Sequence, residues 1–335
     1  MNIKAILKIL GAVLCLEAFF MIPCTIIAGI NDEQGFFPFL ITSVLLLIIG
    51  LPLALIKIVK SKFHAKDGML SVALAWIIVS LIGAMPFYFS GVIPAFVDSV
   101  FESVSGFSTT GATVLPDIEA IPHSIMLWRC LTLWFGGMGV LILTLAIIPS
   151  TGSGGINIMK AEITGPTTSR LVPKLRETAM ILYLIYISLT ILEIICLRLA
   201  GMGLFDSVLH ALSAYDSASV EIIITVFMFL FGVNFALYFT AFSKSVFQAF
   251  KSEEFRLYTV IIVVSIILIT FNIFHVYDSV SESIRHSAFT VTSIISTTGF
   301  ATEDYSLWPT LSKIVLLFLM FIGSCATSTG GGIKI

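Results

Sequence analysis

Apolar residues run in blocks near 9–30, 36–59, 69–93, 124–149, 179–200, 219–243, 257–277 and 310–333, with the charges gathered between them. Blocks of about 20 residues are long enough to cross ~30 Å of hydrocarbon as helices, so the pattern predicts eight spans. The stretches after the third and seventh blocks are long, and each holds an apolar segment too short to cross. The unit predicted there is span, short re-entrant helix, loop, span.

Composition sharpens this into a membrane class. Of 335 residues, 58% are hydrophobic and 11% charged, against roughly 25% charged in a soluble domain. The formal charge of -2 includes no basic face, which excludes a nucleic-acid partner. Cys15, Cys24, Cys130, Cys196 and Cys325 fall in or beside apolar blocks at unrelated spacings, which argues against a disulfide framework or a zinc site. Lys4 and Lys8 precede an apolar run that continues to about Ile30 with no small-residue cleavage site. That run reads as a retained first span rather than a signal peptide.

The loops alternate in charge. One set holds Lys4 and Lys8, then Lys57 to Lys66, then Lys160 to Arg176, then Lys244, Lys251 and Arg256, then Lys334. The other holds Asp32 and Glu33, then Asp98, Glu102, Asp117 and Glu119, then Asp206 and Asp216, then Asp278, Glu282, Glu303 and Asp304, with Arg285 its one basic residue. The positive-inside rule makes the first set cytoplasmic, so both chain ends lie inside. An acidic outer face would concentrate cations at a pore mouth, although acidic loops are equally well explained as solvated surface.

The two long outer loops match in register. Ser99-Val-Phe-Glu-Ser-Val-Ser-Gly-Phe-Ser-Thr-Thr-Gly111 aligns with Ser287-Ala-Phe-Thr-Val-Thr-Ser-Ile-Ile-Ser-Thr-Thr-Gly299. The loop after the fifth span begins alike, with Ser207-Val-Leu-His-Ala-Leu-Ser-Ala214. The repeat divides the chain into two N-terminal spans (1–66), a first repeat with a filter (67–150), a second without one (151–243), and a third with filter and gate loop (244–335).

Residue chemistry gives the repeated Ser-Thr-Thr-Gly a purpose. A dehydrated potassium ion needs a ring of oxygens, which backbone carbonyls supply if the chain runs extended toward the pore. Irregular backbone at membrane depth is tolerated only where it lines such a cavity or is buried in protein. Glycine permits positive φ and close approach of backbones. A short preceding helix aims its partial negative C-terminus at the ion. The candidate potassium-binding residues are therefore Thr109, Thr110, Gly111, Thr297, Thr298 and Gly299.

Four segments carry a family resemblance: Thr109-Thr-Gly-Ala-Thr-Val114, Trp134-Phe-Gly-Gly-Met-Gly139, Lys160-Ala-Glu-Ile-Thr-Gly-Pro166 and Ser328-Thr-Gly-Gly-Gly-Ile-Lys-Ile335. The chain resembles the Trk/Ktr/HKT superfamily of potassium transporters. The two spans ahead of the first repeat point to its bacterial Trk membrane-subunit branch, TrkH/TrkG. The resemblance implies an all-α polytopic fold of fused span–pore-helix–span repeats around a pseudo-fourfold pore. It also implies potassium as the transported ion, no organic cofactor, a homodimer in the bacterial inner membrane, and a cytoplasmic TrkA-like ring of nucleotide-binding regulatory subunits. It places a gate in the interrupted eighth span, at Gly323, Gly330, Gly331 and Gly332. Read from residues alone, a glycine triplet that costs about 1 kcal/mol per residue in a helix could equally be a glycine-rich helix end.

Two departures stand against the family pattern. The chain carries three repeats rather than four, and after Ala214 the text passes to Tyr215-Asp-Ser-Ala with no filter. Either this is a truncated or degenerate copy, or the natural protein is longer, and the undecayed remaining repeats favour the second. The departures sustain an alternative function, a non-conducting assembly or regulatory membrane protein derived from such a transporter. No Ser/His/Asp set, metal motif or nucleotide loop supports an enzyme. The charges Glu17, Arg129, Glu193, Arg198 and Glu221 in or beside spans, and the five histidines, read as structural.

Overall fold

The computed structural model describes residues 2–57, 64–116, 120–139, 175–209, 217–243, 251–326 and 328–335. Among them every regular element is a helix, apart from one isolated β-bridge between Ile322 and Ile333. Two compact units divide the chain. The first takes the helices up to residue 138. The second takes Thr109–Gly111 and the chain from Ile181 to Ile335.

In the first unit, α1 (Ile3–Ile30) and α2 (Phe36–Ala54) form an antiparallel pair. The pair closes at Gly11 and Gly50, where a Cβ on Gly11 would lie 2.6 Å from the Leu53 side chain and 2.7 Å from the Gly50 carbonyl oxygen. Small residues at such a point let membrane helices approach backbone to backbone. Next come α3 (Ala65–Gly83), α4 (Met85–Phe89), α5 (Phe96–Phe107) and α6 (His123–Met138). A box between His64 and Asp67 caps α3. Glu33, in the loop after α1, caps α6 by accepting from the backbone N–H groups of His123 and Ser124 at 3.0 and 2.9 Å. The core is centred on Trp128, which is fully buried, stands edge-on to Phe39 and Phe107, and donates its indole N–H to the Gly83 carbonyl at 2.9 Å.

The second unit holds α7 (Leu175–Leu199, from Ile181 on), α8 (Leu204–Leu209), α9 (Ala218–Gly232), α10 (Phe235–Ser243), α11 (Glu253–Ile273), α12 (Val280–Ile295) and α13 (Thr310–Phe321). One core packs Tyr258, Ile262 and Ile269 of α11 with Val291 and Ile295 of α12 and Leu316 and Leu319 of α13. A smaller one packs Leu197, Val220, Ile224 and Met228 around Phe289. Ser252 and Ser279 cap α11 and α12.

Among the described residues five helical segments are long and apolar enough to cross a membrane: Ile3–Ile30, Phe36–Ala54, Lys66–Phe89, Met180–Leu199 and Glu253–Ile273. The outer faces of α2, α7 and α11 expose Ile41, Ile48, Leu184, Ile191, Val260, Val264 and Phe271. A bilayer is the solvent for such faces. Three predicted spans are not single helices. The third is α3 and α4, which meet at Ala84 just ahead of Pro86. The sixth turns by 91° between α9 and α10. The eighth stops at Phe321, and residues 322–335 double back without helix. The second half of the fourth span, the Lys160–Pro166 segment and the Ala214–Tyr215 junction lie outside the described residues.

Intramembrane charges have mostly found partners. Arg129 pairs with Glu102 and Arg285 with Glu221, and Arg198 donates to the Met202 carbonyl. Glu17 differs: it is buried in α1 next to Gly83, and neither carboxyl oxygen has a hydrogen-bond partner among the described residues. An unsatisfied buried polar group costs about 1–3 kcal/mol. Glu17→Met should therefore hold or raise the melting temperature of the purified protein, and a clear fall would show that the carboxyl has a partner the fold needs.

Candidate functional site

Short helices deliver both loops that carry Ser-Thr-Thr-Gly. In the first unit, α5 begins with Asp98 in its opening turn. In the second, α12 begins with Glu282. Acids at helix N-termini complement the dipole and leave the negative end bare at the loop. Both helices end in the same way. The Ser108 N–H donates to the Val104 carbonyl at 2.8 Å, and the Ser296 N–H to the Thr292 carbonyl at 3.0 Å.

The loops then take the same backbone path. Thr109 and Thr297 both have φ of 56°, and Gly111 and Gly299 have φ of 76° and 78°. The threonines between them are not in the positive-φ region, so the sign of φ alternates along each triplet. That alternation turns successive peptide groups to one side of the chain instead of to opposite sides as in a strand. A threonine at positive φ is costly for a β-branched residue and persists only where the surroundings enforce it. The same hydroxyl tie follows each glycine. Ser105 Oγ donates to the Ala112 carbonyl at 2.5 Å, and Ser293 Oγ to the Phe300 carbonyl at 2.6 Å.

The two triplets meet within the second unit. A Cβ built on Gly111 would lie 2.6 Å from the Thr298 carbonyl oxygen and 3.2 Å from the Gly299 Cα. Thr109–Gly111 and Thr297–Gly299, predicted as one constellation, are thus brought into direct contact.

The segment after α13 folds against the same place. Gly331 N–H donates to Thr297 Oγ1 at 2.8 Å, and Ser324 Oγ to the Ile295 carbonyl at 3.0 Å. A Cβ on Gly331 would be 3.8 Å from Thr109 Oγ1. The hairpin is closed by Gly323 N–H to the Ile333 carbonyl at 2.7 Å and Ile333 N–H to the Phe321 carbonyl at 3.2 Å. Its far side rests on the break in the sixth span, where Cys325 and Thr329 N–H groups donate to Gly232 and Phe231 carbonyls. Glu254, which opens α11, accepts from Ala326 N–H and from Asn234 Nδ2. Gly323, Gly330, Gly331 and Gly332, predicted together, do lie together.

With this geometry in place, the comparisons with known proteins decide the family. A family model described as TrkH, cation transport protein, matches residues 36–335. The chain belongs to the TrkH family of cation transport proteins. It is 36% identical over 299 residues to the Trk system potassium uptake protein TrkH of Salmonella typhimurium, covering 82% of this chain and 61% of that protein. It is 32% identical over 355 residues to TrkG of Escherichia coli, covering 99% of this chain and 73% of the relative. The crystal structure of the potassium transporter TrkH from Vibrio parahaemolyticus superposes with a TM-score of 0.86 at 31% identity, over all of this chain and 73% of that one. The family is one of transporters rather than enzymes, and the chain spans 61% of the length of the Salmonella relative, a little under two thirds. The alignment to the Vibrio parahaemolyticus TrkH sequence runs over 359 positions against the 335 residues here. That relative therefore has residues that this chain lacks.

Three features of the site escaped sequence reasoning. Glu102 had counted as one of several outer acids, yet it is buried and paired with Arg129. Glu254 had not been singled out, and Asn234 sat inside a predicted continuous span. A polar residue inside an apolar block, as Asn234 is, was the available signal. Among the described residues no three His, Cys, Asp or Glu gather as a metal site, and His286 stacks on Tyr277 with Glu303 3.9 Å away.

Gly91 has a φ of 75° but nothing within 4 Å of its would-be Cβ, whereas Gly111 has both the left-handed φ and the Thr298 backbone in the way. Gly91→Ala should cost about 1 kcal/mol from backbone strain alone. Gly111→Ala should cost about 1–3 kcal/mol more through overpacking. Chemical or thermal unfolding of the two variants in one detergent checks the ranking, and equal losses would mean that the loops do not meet.

Proposed function

We propose that this chain is the larger part of a potassium-uptake pore of the bacterial inner membrane. Carbonyls of Thr109, Thr110, Gly111, Thr297, Thr298 and Gly299 would form half of its selectivity filter. The observation that carries this reading is the shared backbone of the two triplets: the same alternation of φ, the same serine ties, and mutual contact. The names of the relatives and of the solved homologue support potassium as the ion, since several are called potassium uptake proteins. The fused-repeat division at 67, 151 and 244 is part of the reading, with two further filter loops expected in the complete protein to hold Gly111 and Gly299 an ion's width apart. The charge alternation of the loops supports a cytoplasmic N-terminus. A homodimer and a cytoplasmic ring of nucleotide-binding subunits belong to the same proposal.

A second reading, a non-conducting assembly or regulatory membrane protein derived from such a transporter, is favoured by the passage from Ala214 to Tyr215 with no filter between them. Uptake of rubidium and sodium into cells lacking their own potassium transporters separates the two, with the chain alone and with the filter and fourth repeat supplied from a homologue. The restored protein should prefer potassium and rubidium to sodium, and Gly111→Ser should relax that preference because the new Cβ displaces a carbonyl. Equal uptake of sodium and potassium by the restored unmutated protein would defeat the filter assignment.

The Gly323–Gly332 loop is proposed as the gate. It meets the third-repeat triplet through the Gly331 N–H on Thr297 Oγ1, a single hydrogen bond that a gating movement would break. Shortening it should raise ion leak while the ratio of potassium to sodium uptake stays put. Unchanged or abolished flux at normal expression would return the segment to a helix end.

A further inference from the structure

The first filter loop carries an attachment that the third repeat lacks. Glu102, on α5, is buried, and its Oε1 accepts from Arg129 Nε of α6 at 2.7 Å. Its Oε2 faces the chain just past the filter glycine, accepting from Thr113 Oγ1 at 2.9 Å and from the Val114 N–H at 3.1 Å. Thr113 Oγ1 in turn accepts from the Leu115 N–H at 3.1 Å. One carboxylate thus holds consecutive residues downstream of Gly111, and Arg129 supplies the charge that makes its burial tolerable. Hydrogen bonds to a charged acceptor are stronger than neutral ones and hold a tighter geometry.

The matching positions of the third repeat are Thr290, which has no carboxylate, and Ala301, which has no hydroxyl. There the stretch after Gly299 keeps the serine tie to Phe300. The helix α12 has an ion pair of its own, but of opposite sense and elsewhere: Arg285 on α12 lies 2.9 Å from Glu221 on α9, and it touches no filter residue. Of the two described loops only the first has this clamp, and it holds the residues that follow Ala112.

We propose that Glu102 is a positioning residue for the first filter loop, neutralised by Arg129, and that it sets the loop's discrimination between cations by holding Ala112–Leu115 rigid. The proposal rests on the transport reading above. A carbonyl ring distinguishes potassium from sodium only if its oxygens resist collapse onto the smaller ion. Anchoring one side of the loop to a buried ion pair gives that resistance to one loop without requiring it of its partner.

Two variants test it, each in purified protein in lipid nanodiscs and in the filter-restored protein used for uptake. Glu102→Gln removes the charge. Thr113→Val is isosteric, leaves the Arg129–Glu102 pair intact, and so remains informative where the first variant misfolds. Amide exchange over residues 112–116 should quicken by at least about tenfold, the size of a lost charged hydrogen bond, while exchange over 300–302 does not change. The potassium-to-sodium uptake ratio should fall with the maximal potassium rate largely kept, a pattern that general destabilisation would not produce. Unchanged exchange over 112–116 overturns the clamp, and quickened exchange with an unchanged uptake ratio overturns its role in selectivity. Absence of flux from the restored unmutated protein would defeat the transport reading instead, and the exchange comparison would then decide the clamp alone.

Discussion

Every polar backbone group in this protein that leaves a helix at membrane depth must find a partner inside the protein, and the structure is arranged around that need. A bilayer core offers no water, and each unsatisfied N–H or C=O there costs several kcal/mol. Four described segments break the rule of helix: the two Ser-Thr-Thr-Gly loops, the corner between α9 and α10, and the hairpin after Phe321. Each is met by side chains placed for it. Ser105 and Ser293 satisfy the carbonyls after the glycines, and Glu102 takes the Val114 N–H. Thr297 takes the Gly331 N–H, and Glu254 that of Ala326. Of the serines and threonines in α5 and α12, Ser99, Ser105 and Ser293 donate to irregular backbone, whereas Ser283, Ser287 and Thr292 bond back along their own helix.

The same constraint explains the broken sixth span. Ending α9 at Gly232 frees the carbonyls of its last turn, and those of Phe231 and Gly232 are the ones the hairpin uses. Tyr238 returns from α10 to donate to the Leu230 carbonyl. Asn234 at the corner caps its own next turn through Ala236 N–H and hands its amide to Glu254. A turn of 91° that would be unaffordable in lipid becomes stable because a second irregular segment pairs with it. Glu254 joins the hairpin to the break, accepting from Ala326 N–H on one side and Asn234 Nδ2 on the other.

Duplication is visible at the level of backbone angles, yet the copies are held differently. The φ values at Thr109 and Thr297 agree, as do the serine ties, because both follow from a local sequence in register. The fastening to neighbours does not agree. In one copy the acid is on α5 and the base on α6; in the other the base is on α12 and the acid on α9. The backbone and serine ties agree where they shape the loop, and the ion pairs differ where the helix is fastened to its neighbour. Family membership and the solved homologue agree with the all-helical architecture.

The apolar blocks by themselves determined that this is a polytopic helical membrane protein, because hydrophobic length and charge segregation act one segment at a time. The matching of Ser99–Gly111 with Ser287–Gly299 likewise revealed the candidate site, since φ preferences of glycine and the serine ties are local in sequence. What the sequence could not hold was every contact between distant elements. That Glu102 is buried against Arg129, and that Asn234 ends a helix to meet Glu254, depend on which helices pack together. A charged residue near a block's edge looks the same whether it faces water or a partner 27 positions away. Only the tertiary structure supplies the neighbour, and in a medium of low dielectric the neighbour decides what a charge can do.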